Sequence, residues 1–174
     1  MTDWKDIKAL TIDVDGVMTD GSLIALSDGD LVRFYNSKDT FAIRMLVMQG
    51  IKVGVITGGN TPGIFKRFLS LRVEADDIHM GSRGKVKVLN EFCTKYGLKP
   101  EQVAYVGDDI PDVPVLKAVG LGIAPKDACE EAREAADIVS EYGGGHGCIR
   151  WVAEQILKSQ GLWKFNPEDY ERLF

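Results

Sequence analysis

Two carboxylates, Asp13 and Asp15, stand two residues apart at the end of the apolar run Lys8 to Val14, and Gly16 follows them. Strand alternation turns both side chains to the same side. Like charges that close repel, so the pair needs a cation, a proton or a turn that separates them. A magnesium ion with a division of labour meets that need: one carboxylate stays ionised as a nucleophile while the other trades a proton. A solvated Asp-rich turn has the same spelling, so the pair acquires meaning only from its company.

Three further groups supply the company. Thr57-Gly58-Gly59-Asn60 follows an apolar run and opens into a helix-like segment, so the Thr57 hydroxyl and the loop N–H groups can donate to phosphoryl oxygens. Lys85 follows Gly81 to Gly84 at another helix start, where an ammonium can offset phosphate and carboxylate charge; Arg83 and Lys87 are rivals for that place. Asp108, Asp109 and Asp112 crowd five positions after the run Val103 to Val106, a donor set for a hard cation such as Mg²⁺, in which one or two acids act through water.

The elements that must position these groups alternate. Strands are predicted over 8–14, 51–56, 77–80, 103–106, 120–124 and 137–140, and helices over 39–50, 61–70, 85–96, 111–118, 128–135 and 147–159, with Asp39 as the first N-cap. The expectation is an α/β fold, a Rossmann-like doubly wound parallel sheet, where ligands bind beyond the carboxyl ends of the strands. Residues 22–35 break the alternation as a β-hairpin around Ser27-Asp28-Gly29-Asp30. Its two patterns, Leu23, Ala25, Leu31 and Ile24, Leu26, Val32, Phe34, are both apolar. Such a hairpin either folds back on its own domain or pairs with other subunits, and pairing is the favoured reading.

With 174 residues, 45% hydrophobic, 21 basic and 26 acidic side chains and a net charge of −5, the chain is a single-domain length whose balance argues against a nucleic-acid partner. The N-terminus lacks the order of a signal peptide, and no apolar run approaches a membrane span. Cys93, Cys129 and Cys148 have neither zinc-like spacing nor an even count, so a reducing cytoplasm is expected.

Taken in order, the Asp13-Val14-Asp15-Gly16 pair, Thr57, Lys85 and the Gly107-Asp108-Asp109 cluster resemble the four motifs of the haloacid dehalogenase superfamily of phosphatases. The resemblance spans about Ile7 to Leu157. It implies Asp13 as nucleophile, Asp15 as general acid and base, and Thr57 and Lys85 as holders of the phosphoryl group. It also implies Mg²⁺ bound by Asp13, the Asp15 backbone carbonyl and Asp108, with Asp109 and Asp112 in support. The intervals between the motifs have no room for a large cap domain. Within the superfamily the stretches Asp13 to Gly21, Val103 to Asp109, Asn36 to Asp39 and Gly143 to Gly147 are similar to the capless, homotetrameric 3-deoxy-D-manno-octulosonate 8-phosphate (KDO 8-phosphate) phosphatases. That implies a phosphorylated keto-sugar acid as substrate, hairpins packed at a tetramer centre, and a tail, 162–174, that reaches a neighbouring site. Gly58, Gly59, Asn60, Lys38, Asp39 and Arg67 are then expected around the substrate, Arg67 on the sugar carboxylate. The glycine loop before the last helix is read as slack.

Gly59 departs from the basic residue many of these enzymes carry after Thr-Gly. Gly59 and Ser70 depart further from relatives acting on a nine-carbon keto-sugar acid 9-phosphate, which stays the alternative substrate. Two other classes share parts of the pattern: a phosphorelay receiver domain and a silent oligomerisation domain. The strand ending in Thr57 carries no Asp, which disfavours the first; the complete catalytic set disfavours the second.

Overall fold

The N-terminal apolar run forms the middle of the molecule. In the computed structural model, which describes residues 2–166 and 168, β1 (Ala9–Ile12) is buried over its whole length. The chain continues through a hairpin of β2 (Ile24–Ala25) and β3 (Leu31–Val32) into α1 (Ser37–Met48), β4 (Lys52–Ile56), α2 (Pro62–Ser70) and β5 (Ile78–His79). It then runs through α3 (Lys85–Tyr96), β6 (Val103–Val106), α4 (Val113–Leu116), β7 (Leu121–Ala124), α5 (Glu130–Ala135), β8 (Ile138–Val139) and α6 (Cys148–Ser159).

Six strands pair in parallel in the order β5-β4-β1-β6-β7-β8. With the hairpin set aside, this is the doubly wound order expected from the alternation of strands and helices. Successive β1 side chains go to opposite faces. Leu10 and Ile12 join a core with α1, α2 and α6, while Ala9 joins the other core with α3, α4 and α5. Each fully buried Leu or Ile contributes about 1.5–3 kcal/mol of apolar transfer, so the strand is held from both sides. The chain leaves β1 for β4 on one side and later returns to β6 on the other. The carboxyl end of β1 is therefore the crevice of the sheet.

Two predicted elements differ. The first helix begins two residues earlier, at Ser37, with Asn36 as its N-cap: Asn36 Oδ1 accepts from Lys38 N at 2.8 Å. The predicted helix over 111–118 is a 3-10 turn, Ile110–Asp112, followed by only the four residues of α4. Pro111 and Pro114 each remove an N–H from that stretch, which limits regular helix.

The hairpin does not fold back into a core. Leu23, Ile24, Leu26, Val32 and Phe34 are all exposed, Phe34 at 64% of its surface. The start of the C-terminal tail does dock: the Trp163 ring lies 4.7 Å from the Arg150 guanidinium carbon, and Phe165 packs 6.1 Å from Phe41. The rest of the tail expected to reach a neighbour lies largely outside the described residues. No helix among the described residues is long and apolar enough to cross a membrane, and the three cysteines are free thiols.

Candidate active site

Asp13, Asp15, Thr57, Lys85, Asp108, Asp109 and Asp112 all line one cavity of about 580 Å³ at the carboxyl ends of β1, β4 and β6. Strand register brings them together. Asp13 directly follows β1, and its N–H donates to the Val106 carbonyl at 3.0 Å, so it sits beside the loop that carries Asp108. Gly16 is essential to the turn that follows. Its φ is +80°, a conformation that favours glycine, and a methyl group there would lie 2.0 Å from Asp108 Oδ2, so the Asp108 carboxylate packs directly against this turn. Thr19 closes the same turn, accepting from Gly16 N at 3.3 Å and Gly21 N at 3.2 Å.

Of the rival cations, Lys85 is the one inside. Its ammonium is buried and donates to Asp13 Oδ2 at 2.7 Å and to Asp112 Oδ1 at 2.6 Å. Lys87 is exposed opposite Glu91, while Arg83 lies at the cavity wall. Burial alone would lower the Lys85 pKa, but Asp13 and Asp112 overcome it and raise the value. Burial pushes the Asp13 carboxyl up, against the Lys85 charge that favours ionisation.

Asp13, Asp108 and Asp112 can each bring an oxygen within 4.8 Å of the others. Burial first, then Asp13, Asp112 and Asp109, push the Asp108 carboxyl up to about 7. A carboxylate so reluctant to ionise without a counter-charge, beside two more acids and one ammonium, fits a divalent cation with oxygen ligands.

Asp112 is committed elsewhere. Oδ1 accepts from Lys85 and from the Tyr105 hydroxyl, and Oδ2 accepts from the N–H groups of Asp108 at 3.1 Å and Asp109 at 3.3 Å. It holds Lys85 and the loop while remaining one of the three acids close enough to share an ion. The Asp109 carboxylate caps its own turn, with Oδ1 accepting from Ile110 N at 2.8 Å, and lines the same cavity.

Asp15 lines the same cavity as Asp13 but has a different partner. The chain leaves the strand direction after Asp13, and the Asp15 carboxylate is gripped by Arg33 of the hairpin, Nε to Oδ1 at 2.7 Å and Nη2 to Oδ2 at 3.0 Å. The Thr57 hydroxyl oxygen accepts from Gly59 N at 3.1 Å, which leaves its hydrogen free to donate into the cavity that Gly58 and Gly59 also line.

The outer substrate residues fare less well. The Asp39 carboxylate is fully buried and accepts from Gly147 N at 3.1 Å and Arg150 N at 2.7 Å, capping α6, so it does not reach the cavity. Lys38 is exposed and lines a separate cleft with His146 and Arg150. Asn60 is exposed beside Gly81. Arg67 lies over the Tyr35 ring at 5.9 Å, outside the cavity lining. The glycine loop is not slack: a methyl group at Gly144 would lie 1.9 Å from the Gly16 carbonyl oxygen, so this loop underlies the Asp13–Asp20 turn.

Arg33 and Tyr105 were missed by the sequence reading. The signal for Arg33 was a lone cation on the otherwise apolar 23-25-31 pattern of the hairpin. Tyr105 gave a weaker one, a hydroxyl within a strand buried on both faces.

Comparison with known proteins agrees with this geometry. The family described as haloacid dehalogenase-like hydrolase matches residues 39–120. The 3-deoxy-D-manno-octulosonate 8-phosphate phosphatase KdsC of Salmonella typhi is 34% identical over 161 residues, 92% of this chain and 85% of that protein. The solved phosphatase of the same kind from Moraxella catarrhalis, in complex with magnesium ion, phosphate ion and KDO, superposes with a TM-score of 0.86 at 32% identity, covering 91% of this chain and 90% of that one. The cobalt-bound enzyme from Haemophilus influenzae gives 0.87 at 32% identity, covering 91% of each chain. With its strand order, its Asp13–Lys85–Asp108 centre and relatives of this identity along nearly its whole length, the chain belongs to the haloacid dehalogenase-like hydrolases, in the family of the KDO 8-phosphate phosphatases.

Proposed function

We propose that this chain hydrolyses KDO 8-phosphate, a phosphorylated keto-sugar acid, through an aspartyl-phosphate on Asp13, with Mg²⁺ as its cation. The observation that carries the reading is Asp13 at the sheet crevice, its carboxylate 2.7 Å from a buried ammonium and beside Asp108.

Asp13 and Asp108 would hold the cation, together with the Asp15 backbone carbonyl. When bound, Mg²⁺ supplies positive charge that offsets the phosphoryl oxygens and fixes their orientation. Lys85 does the same from the other side, and Thr57 with the Gly58 and Gly59 amides donates to the remaining oxygens. An Asp13 oxygen bonds to phosphorus as the ester P–O bond breaks, and the leaving alkoxide takes a proton from the Asp15 carboxyl. In the second half the Asp15 carboxylate takes a proton from water, whose oxygen attacks phosphorus. Asp13 is freed, and inorganic phosphate leaves.

The exposed apolar hairpin supports a homotetramer in which such strands cover one another, as does the lack of a cap over the cavity among the described residues. The net charge of −5 supports no nucleic-acid role. The free thiols suit the cytoplasm. The test is a screen of sugar phosphates with eight- and nine-carbon keto-acid esters, run on the parent and Asp13→Asn with and without Mg²⁺. The eight-carbon ester is expected to give the highest kcat/KM, and Asp13→Asn none. Preference for the nine-carbon ester would replace the substrate, while turnover by folded Asp13→Asn would refute the mechanism.

A further inference from the structure

We infer that Arg33 is a positioning residue for the reaction: the hairpin reaches into the site through this side chain and sets where Asp15 can deliver its proton. The inference rests on the general acid role of Asp15 given above. Arg33 exposes only 3% of its side chain although both its neighbours, Val32 and Phe34, are exposed. Alternation along this strand therefore sends the apolar groups outward and the guanidinium inward.

The guanidinium makes four hydrogen bonds. Two go to Asp15, one to Thr61 Oγ1 at 2.8 Å and one to the Leu31 carbonyl at 3.3 Å. Thr61 is the N-cap position of α2, the helix that follows the Thr57 loop. One planar side chain thus ties together the hairpin, the Asp15 turn and the phosphate loop. The Arg–carboxylate fork is bidentate, the geometry that fixes orientation as well as distance. It uses one lone pair on each oxygen, and Asp15 still lines the cavity, so each oxygen keeps a lone pair that the fork does not occupy. Gly59 packs beside the fork: a methyl group there would meet Ile64 Cδ1 at 2.7 Å and Arg33 Nη2 at 3.1 Å. Lysine could supply the charge but not the fork.

Positioning of the acid has a readout that mere structural support lacks. An alkyl ester needs its leaving oxygen protonated as the P–O bond breaks, whereas a nitrophenolate leaves without help. A well-placed general acid gives about 10²–10⁴-fold. Loss of its placement in Arg33→Met should therefore lower kcat/KM at least ~10-fold more for an alkyl ester than for an aryl ester. Arg33→Lys should fall between parent and Arg33→Met. Thr61→Val, which removes one anchor of the guanidinium without touching Asp15, should shift the ratio in the same direction by less.

The substrates are KDO 8-phosphate and ribose 5-phosphate as alkyl esters and p-nitrophenyl phosphate as the aryl ester. Circular dichroism and light scattering follow fold and assembly. If Arg33→Met does not fold, the Lys and Thr61→Val variants carry the comparison. Equal losses on both ester classes, no loss, or a gain would overturn the positioning role. A parent that cleaves ribose 5-phosphate and the aryl ester but not KDO 8-phosphate would sink the substrate reading, and the ratio would still decide on Arg33. A parent that cleaves no ester would overturn both.

Discussion

Asp108→Asn should make the metal-free protein more stable and the Mg²⁺-loaded protein less so. The Asp108 carboxyl is pushed from its ordinary 3.8 to about 7, chiefly by burial and then by Asp13 and Asp112. Folding therefore binds a proton more tightly at this site than the unfolded chain does. The stability this contributes is complete below about pH 4 and is lost as pH rises towards and through 7. The full shift of about three pK units corresponds to about 4 kcal/mol. Solvent screening of a partly exposed carboxyl reduces that to about 2 kcal/mol.

Asparagine removes the cost. At pH 8 with a chelator, the variant should melt ~4–8 °C above the parent, and the gap should narrow as pH falls. With Mg²⁺ at about 100 times its dissociation constant, the parent should gain about 2.7 kcal/mol and the variant little, so the order reverses. Thermal melts of both proteins at several pH values, with Mg²⁺ or chelator, give all four numbers. A metal-free variant that melts below the parent at pH 8, or equal Mg²⁺ shifts in both, would refute the reasoning.

Three further outcomes are expected. Lys85→Met leaves Asp13 and Asp112 without their buried partner and should cost about 3–5 kcal/mol in denaturant unfolding of the metal-free protein, besides abolishing turnover; an unchanged midpoint would contradict the pairing. Tyr105→Phe removes a buried donor to Asp112 and should cost about 1–2 kcal/mol with a loss in kcat larger than any rise in KM; parent-like kcat would mean Asp112 needs no such hold. Phe34→Asp places a charge on the most exposed large apolar side chain of the hairpin and should break the proposed tetramer to smaller species by light scattering, and a parent-sized particle would exclude that face from any interface.

The sheet and its catalytic edge were legible because each acid, hydroxyl or ammonium directly follows a buried strand or opens a helix, where periodicity is the strongest signal. Asp13, Thr57, Lys85 and Asp108 converge as that pattern required. What escaped was the destination of individual side chains. Asp39 looks like an N-cap of its own helix and in fact caps α6, more than a hundred residues away, because Asn36 has already taken the nearer N–H groups. Asp15 faces the same cavity as Asp13, as alternation required, but its partner is a hairpin cation that no motif flagged. Asp109 and Asp112 are equivalent as letters. Only the burial of Lys85 and Tyr105 beneath the loop assigns Asp112 to hold them.

The contact of Gly144 with the Gly16 carbonyl has a consequence for how the protein is made. The Asp13–Asp20 turn leaves the ribosome well before the loop around Gly144 on which it rests. Until that loop arrives, the turn lacks its support, however complete the rest of the sheet. Nascent chains arrested before residue 143 should therefore be silent toward phosphate esters, which confines reactivity to chains that have made this loop.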